Sequence, residues 1–156
     1  MYQGETLAVR AARVLSEVCD PVIEVGPGVS GLRVVREDPP GAGPLAALLA
    51  GVDALNAEGA VVLLACDLPF VDGALLSQIA DRHGAHSVIP LVDERGQFAC
   101  ARWSAVAIAH ARAGNGRALQ DLLAGDEEYV SADMLGAAAD QFGDIDAPGD
   151  LDSLNS

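Results

Sequence analysis

The stretch VVLLACDLPF, residues 61–70, narrows the fold more than any other part of the chain. Its apolar run has no polar alternation, so it predicts a strand covered on both faces, as in a parallel sheet sandwiched by helices. The run ends at Asp67, with Pro69 close behind. In open α/β sheets the carboxyl ends of the strands form the rim where ligands bind, which makes this carboxylate a candidate functional group. An aspartate capping a turn before proline is the plainer alternative.

The surrounding pattern extends that reading. Leu7, Val9, Ala11, Val14 and Val18 recur at roughly helical spacing and predict a helix over residues 5–18. PVIEV (21–25) and LRVV (32–35) are short β-rich runs on either side of GPGVSG. After the turn DPPGAG, PLAALLAGVDALNAEG reads as a helix with Pro44 near its start and Gly59 beyond its end. VDGALLSQIADRHG is a helix that Asp72 can cap. HSVIPLV, QFACARW and EEYVSA are strand candidates, with helices at SAVAIAHARAG and ALQDLLAG between them. FGDIDAPGDLDSL closes the chain as a short strand, a turn and a helical piece. Alternating strands and helices imply an α/β fold with a three-layer, mostly parallel sheet. The 156 residues show neither repeat nor linker and are expected to form a single domain, 1–156.

Charge limits the partners. All nine basic side chains are Arg, none is Lys, and the net charge is −14. Such a surface repels nucleic acid and anionic membranes, so neither is an expected partner. An anionic small ligand would need local help from backbone N–H groups, an Arg or a divalent cation. No apolar stretch has the ~18 residues of a membrane span and the amino terminus lacks a leader pattern, so the expected location is the cytoplasm. Cys19, Cys66 and Cys100 are far apart and read as reduced core thiols. His83, His86 and His110 form no ligand set and read as surface or helix residues.

Two motif matches fail on context. Gly26, Gly28 and Gly31 fit the spacing of a dinucleotide fingerprint, but that motif must open a helix and here another strand follows at once. The aspartate of CDLPFVDG resembles the phosphoacceptor of receiver domains, which also use a late lysine; this chain has none.

Three ordered segments carry a broader resemblance: REDPPGAGPLAALLAGVDAL, VVLLACDLPFVD and FGDIDAPGDL. Together they resemble the MobA-like nucleotidyltransferases, the molybdenum cofactor guanylyltransferase family, over about Gly4 to Leu154. The resemblance implies a GT-A-type sheet and transfer of GMP from GTP to molybdopterin phosphate with release of pyrophosphate. It implies Mg²⁺ as cofactor, held by the catalytic Asp67 with Asp146 adding a second oxygen. It further implies nucleotide contacts from Asp38, Gly43, Pro44 and Leu45, with Gly26 on the same side. GPLAA and CDLPF are spelled as in the guanylyl branch and DIDAP as in the cytidylyltransferases, so GTP and CTP both stay open.

The chain also departs from the family. Gln97 and Phe98 stand where His and Pro are usual. The family begins with a strand and a glycine-rich loop carrying Arg and Lys that cradles the triphosphate, and MYQGETL aligns just downstream of that loop. Two expectations follow. The first strand is missing, leaving its two interior neighbours without a partner unless they close together or another chain, as in a homo-oligomer, fills the slot. The alternative to the enzyme is a non-catalytic MobA-like binding or interaction protein.

Overall fold

The computed structural model describes residues 4–144. The segment from Ile145 onward, with Asp146 and the predicted closing helical piece, lies outside the described residues. Helix α1 spans Leu7–Ser16, and its N-cap Thr6 accepts a hydrogen bond from the Val9 N–H. Strands β1 (Ile23–Val25) and β2 (Arg33–Val35) follow, then helix α2 (Pro44–Leu55) and strand β3 (Val61–Leu64). Helix α3 (Gly73–Ala80), strands β4 (Ser87–Val92), β5 (Arg95–Gly96) and β6 (Cys100–Trp103), helix α4 (Ala105–Ala113) and strand β7 (Glu127–Ser131) complete the regular elements.

Local chemistry accounts for most boundaries. Pro44 occupies the first turn of α2, where its missing N–H costs nothing. That helix stops earlier than its apolar pattern suggests: Asn56 adopts the left-handed conformation (φ 50°) and caps it, so Gly59 plays no capping part. Asp72 caps α3 as predicted, accepting the Leu75 N–H at 2.9 Å. The predicted helix at ALQDLLAG is one short 3₁₀ stretch, Leu119–Leu122.

The main sheet runs β3-β6-β4-β5, with β7 also paired to β4. β7 is parallel to β4, while β6 is antiparallel to both β3 and β4. β3, β4 and β7 therefore share one direction and β6 opposes them. Helices cover both faces, because alternate residues of each strand enter different cores. Val88 and Cys100 join α1 and α3 residues Val14, Leu75, Leu76 and Ile79. Ile89, Ala101 and Trp103 join α2 and α4 residues Leu45, Leu48, Val52, Ala107 and Ile108. The result is the expected three-layer α/β architecture.

β3 departs from its expected full burial. Val62 and Leu64 pack on one core and Val61 and Leu63 on the other, yet all four residues are only half-buried. The cause is the strand's edge. Among the described residues β3 pairs only with β6, and β1 pairs only with β2 in a separate two-stranded parallel ladder. Helix α2 packs against both pieces: a Cβ at Gly51 would lie 3.1 Å from Val25 Cγ2, and the same helix shares its core with Val61 and Leu63. Among the described residues the second edge of β1 and that of β3 carry no strand.

Candidate functional site

Asp67 projects from the chain just past the carboxyl end of β3. Ala65 still donates its N–H to the Ala99 carbonyl (2.8 Å), after which Cys66 and Asp67 are exposed. Leu68, Pro69 and Val71 are then buried, anchoring the far side of the turn. The carboxylate is thus fixed between a strand end and a packed segment, which holds it better than a free loop would. Among the described residues it has no hydrogen-bond or ion-pair partner and is available to a ligand.

Arg10 on α1 braces this turn. Its Nε donates to the Pro69 carbonyl, and its Nη2 reaches the Val71 carbonyl at 3.5 Å. Nothing local in the sequence announces this role, because the two partners lie 59 and 61 residues away.

Two of the other candidates share one side of the β1–β2 ladder. β2 runs parallel to β1, so Asp38 beyond β2 and Gly26 beyond β1 leave their strands on the same side. Glu24 on β1 acts electrostatically on the Cys66 thiol, which ties that side to the end of β3. Desolvation, then Asp67 and Glu24, push this thiol up. Cys66 is exposed, so among the three cysteines only Cys100 is the buried core thiol expected from the apolar runs. Burial raises the Cys100 thiol to about 12.

Asp38 is exposed, while its neighbour Glu37 folds back to accept the Gly41 N–H at 2.6 Å. Gly43 caps α2 with φ 105°, a conformation that a side chain would strain. Leu45 is buried in the core, so only its backbone N–H can face a ligand. Pro44 has no N–H to offer.

Arg117 is a basic residue that the sequence did not single out. Its carbonyl lies 3.4 Å from a Cβ placed on Gly43, and its exposed guanidinium has no partner among the described residues. Gln97 and Phe98, the departures from the family pattern, serve the scaffold: Gln97 Nε2 donates to the Arg95 carbonyl, and Phe98 stacks on Trp103 at 6.2 Å.

No group of three or more His, Cys, Asp or Glu able to hold a metal occurs among the described residues. A single carboxylate can still serve an ion that takes most of its ligands from water and substrate. Mg²⁺ is commonly bound through one or two carboxylates, its other positions being filled by waters and substrate phosphates. Asp67, exposed and unpartnered, matches that requirement. Two clefts of about 540 and 580 Å³ lie elsewhere, lined by residues such as Ala57 and Arg112 in one and His83 and Glu128 in the other; neither includes Asp38 or Asp67. No described helix is long and apolar enough to cross a membrane.

Comparison with known proteins places these features. A family model described as the MobA-like NTP transferase domain matches residues 1–132. The chain is also similar to the crystal structure of molybdopterin-guanine dinucleotide biosynthesis protein A from Archaeoglobus fulgidus, with 21% identity and a TM-score of 0.62. That match covers 79% of this chain and 66% of the other. No curated protein matches the chain.

Proposed function

Because the chain belongs to the MobA-like NTP transferase family, we propose that it serves molybdenum cofactor biosynthesis as a nucleotidyltransferase, joining GMP from GTP to molybdopterin phosphate. The observation that carries this reading is Asp67, an unpartnered carboxylate at the end of β3. A phosphate oxygen of the acceptor attacks the α-phosphorus of GTP, the bond to the β-phosphate oxygen breaks, and pyrophosphate leaves. Bound Mg²⁺ supplies charge neutralisation at the phosphates. Asp67 holds it, with Asp146 as the proposed second oxygen donor. Asp38, Gly26 and the Gly43-Pro44-Leu45 turn contact the nucleoside side, where CTP is the competing substrate. Arg10 keeps the Asp67 turn in place through the Pro69 and Val71 carbonyls.

A second reading, a non-catalytic binding protein of the same family, draws support from the edges of β1 and β3 that carry no strand among the described residues. Calorimetric titration with Mg·GTP and Mg·CTP, followed by turnover with molybdopterin and radiolabelled nucleotide, separates the two. Pyrophosphate release that disappears in Asp67→Asn supports the enzyme. A folded protein with neither binding nor turnover supports the rival.

A further inference from the structure

The GPGVSG turn leads into a strand and not a helix, yet its backbone does something specific. After β1 the chain wraps around the side chain of Glu24. The Gly28 N–H donates to Glu24 Oε1 at 2.6 Å, and the Val29 N–H lies 3.1 and 3.0 Å from the two carboxylate oxygens. The Ser30 N–H and hydroxyl donate to Oε2 at 2.8 and 2.5 Å. Three consecutive N–H groups and one O–H therefore converge on a single anion. Such a concavity of successive amides is the backbone device that binds phosphate elsewhere.

We propose that residues 28–30 form an oxyanion site for a phosphate group, closed in this structure by the carboxylate of Glu24. Other acid-closed turns of this chain are weaker constructions. Glu37 takes one N–H, from Gly41, and Asp121 and Glu127 take two each. The Glu24 cradle adds a third amide and a hydroxyl, more donors than closing a turn requires. Its electropositive character shows in its occupant, whose carboxyl is held down at about 2 by Ser30 first and then by the amides.

A phosphate offers the two oxygens that Glu24 now presents to these donors, and Gly28, at φ 87°, supplies the left-handed backbone that the cradle needs. The site stands apart from the nucleotide reading above, because its ligand is the phosphate group itself.

An internal anion lowers the apparent affinity by the fraction of molecules whose cradle is open, so removing it exposes the full affinity. The test is a titration of the ¹⁵N-labelled full chain with inorganic phosphate at pH 7 and fixed ionic strength, read at the Gly28, Val29 and Ser30 amides. In Glu24→Ala these amides shift at phosphate concentrations lower than in the parent by about tenfold or more. Glu24→Gln, which keeps the shape of the occupant without its charge, falls between the two. Unmoved loop amides in a folded Glu24→Ala protein overturn the proposal. If that variant loses its loop order, Glu24→Gln decides: no gain in phosphate response over the parent overturns the proposal equally.

Discussion

Replacing Arg102 by methionine tests how the α3–β4 connection is held. The residue sits on β6 and is only 6% exposed. Its Nη1 donates to the carbonyls of Ala80 and Arg82 at 2.9 and 2.6 Å, and its Nη2 to those of Gly84 and His86 at 3.1 and 3.0 Å. One guanidinium thereby gathers the end of α3 and the loop that follows it. Burial pushes its pKa below the ordinary arginine value, the sign of a desolvated cation. Hydrogen bonds from a charged donor are worth ~1.5 to 3 kcal/mol each, so a simple sum over these bonds overshoots. Taking the guanidinium out of water costs several kcal/mol, and carbonyls freed beside the exposed Gly84 regain water. A net loss of about 3 kcal/mol results, corresponding to a Tm lower by about 6 to 12 °C in a domain of this size. Urea unfolding followed by circular dichroism measures it, with Arg102→Lys falling between the two because an ammonium cannot reproduce the fork. A methionine variant within about 0.5 kcal/mol of the parent, the scatter of ordinary surface substitutions, refutes the assignment.

Three further outcomes are expected. Glu24 and Glu128 both titrate at about 2 in the folded chain, below the usual 4.5, Glu24 because of Ser30 and the loop amides and Glu128 because of Arg82 and His86. Their contribution is therefore complete above pH 4.5 and is lost as pH falls toward 2; urea midpoints should drop across that window, and less steeply in Glu24→Gln and Glu128→Gln. Arg10→Ala should weaken Mg·GTP binding by roughly tenfold by loosening the Asp67 turn, with a smaller loss in Arg10→Lys, as read by calorimetry. Fusing an apolar strand ahead of Met1 should supply partners for the edges of β1 and β3 that carry no strand among the described residues and raise Tm by about 5 °C or more, since each hydrogen bond gained is worth ~1 kcal/mol. An unchanged Tm in a fusion that folds would show that those edges do not accept a strand.

Legibility in the sequence followed the range of the interaction. Period-2 and period-3.6 patterning, Pro44 and Asp72 act within a few residues, and they marked α1, α2, α3, β3 and β4 along with the three-layer plan. VVLLA ending in Asp67 likewise marked the end of β3, because an unalternated apolar run followed by a carboxylate needs only the chain's own local chemistry. The half-burial of β3 depends instead on what pairs beside it, which the run cannot encode. The contacts that hold the loops are also long-range. Arg10 reaches carbonyls 59 and 61 residues away, Arg102 reaches back 16 to 22 residues, and Glu24 finds its donors only once the GPGVSG turn has curled over it. Arginines and glutamates look like solvated surface in a pattern reading, since their charge fits water as well as it fits a carbonyl or an amide. Only the tertiary structure, by bringing distant backbone groups within hydrogen-bond distance, decided which of them hold the turns and loops in place.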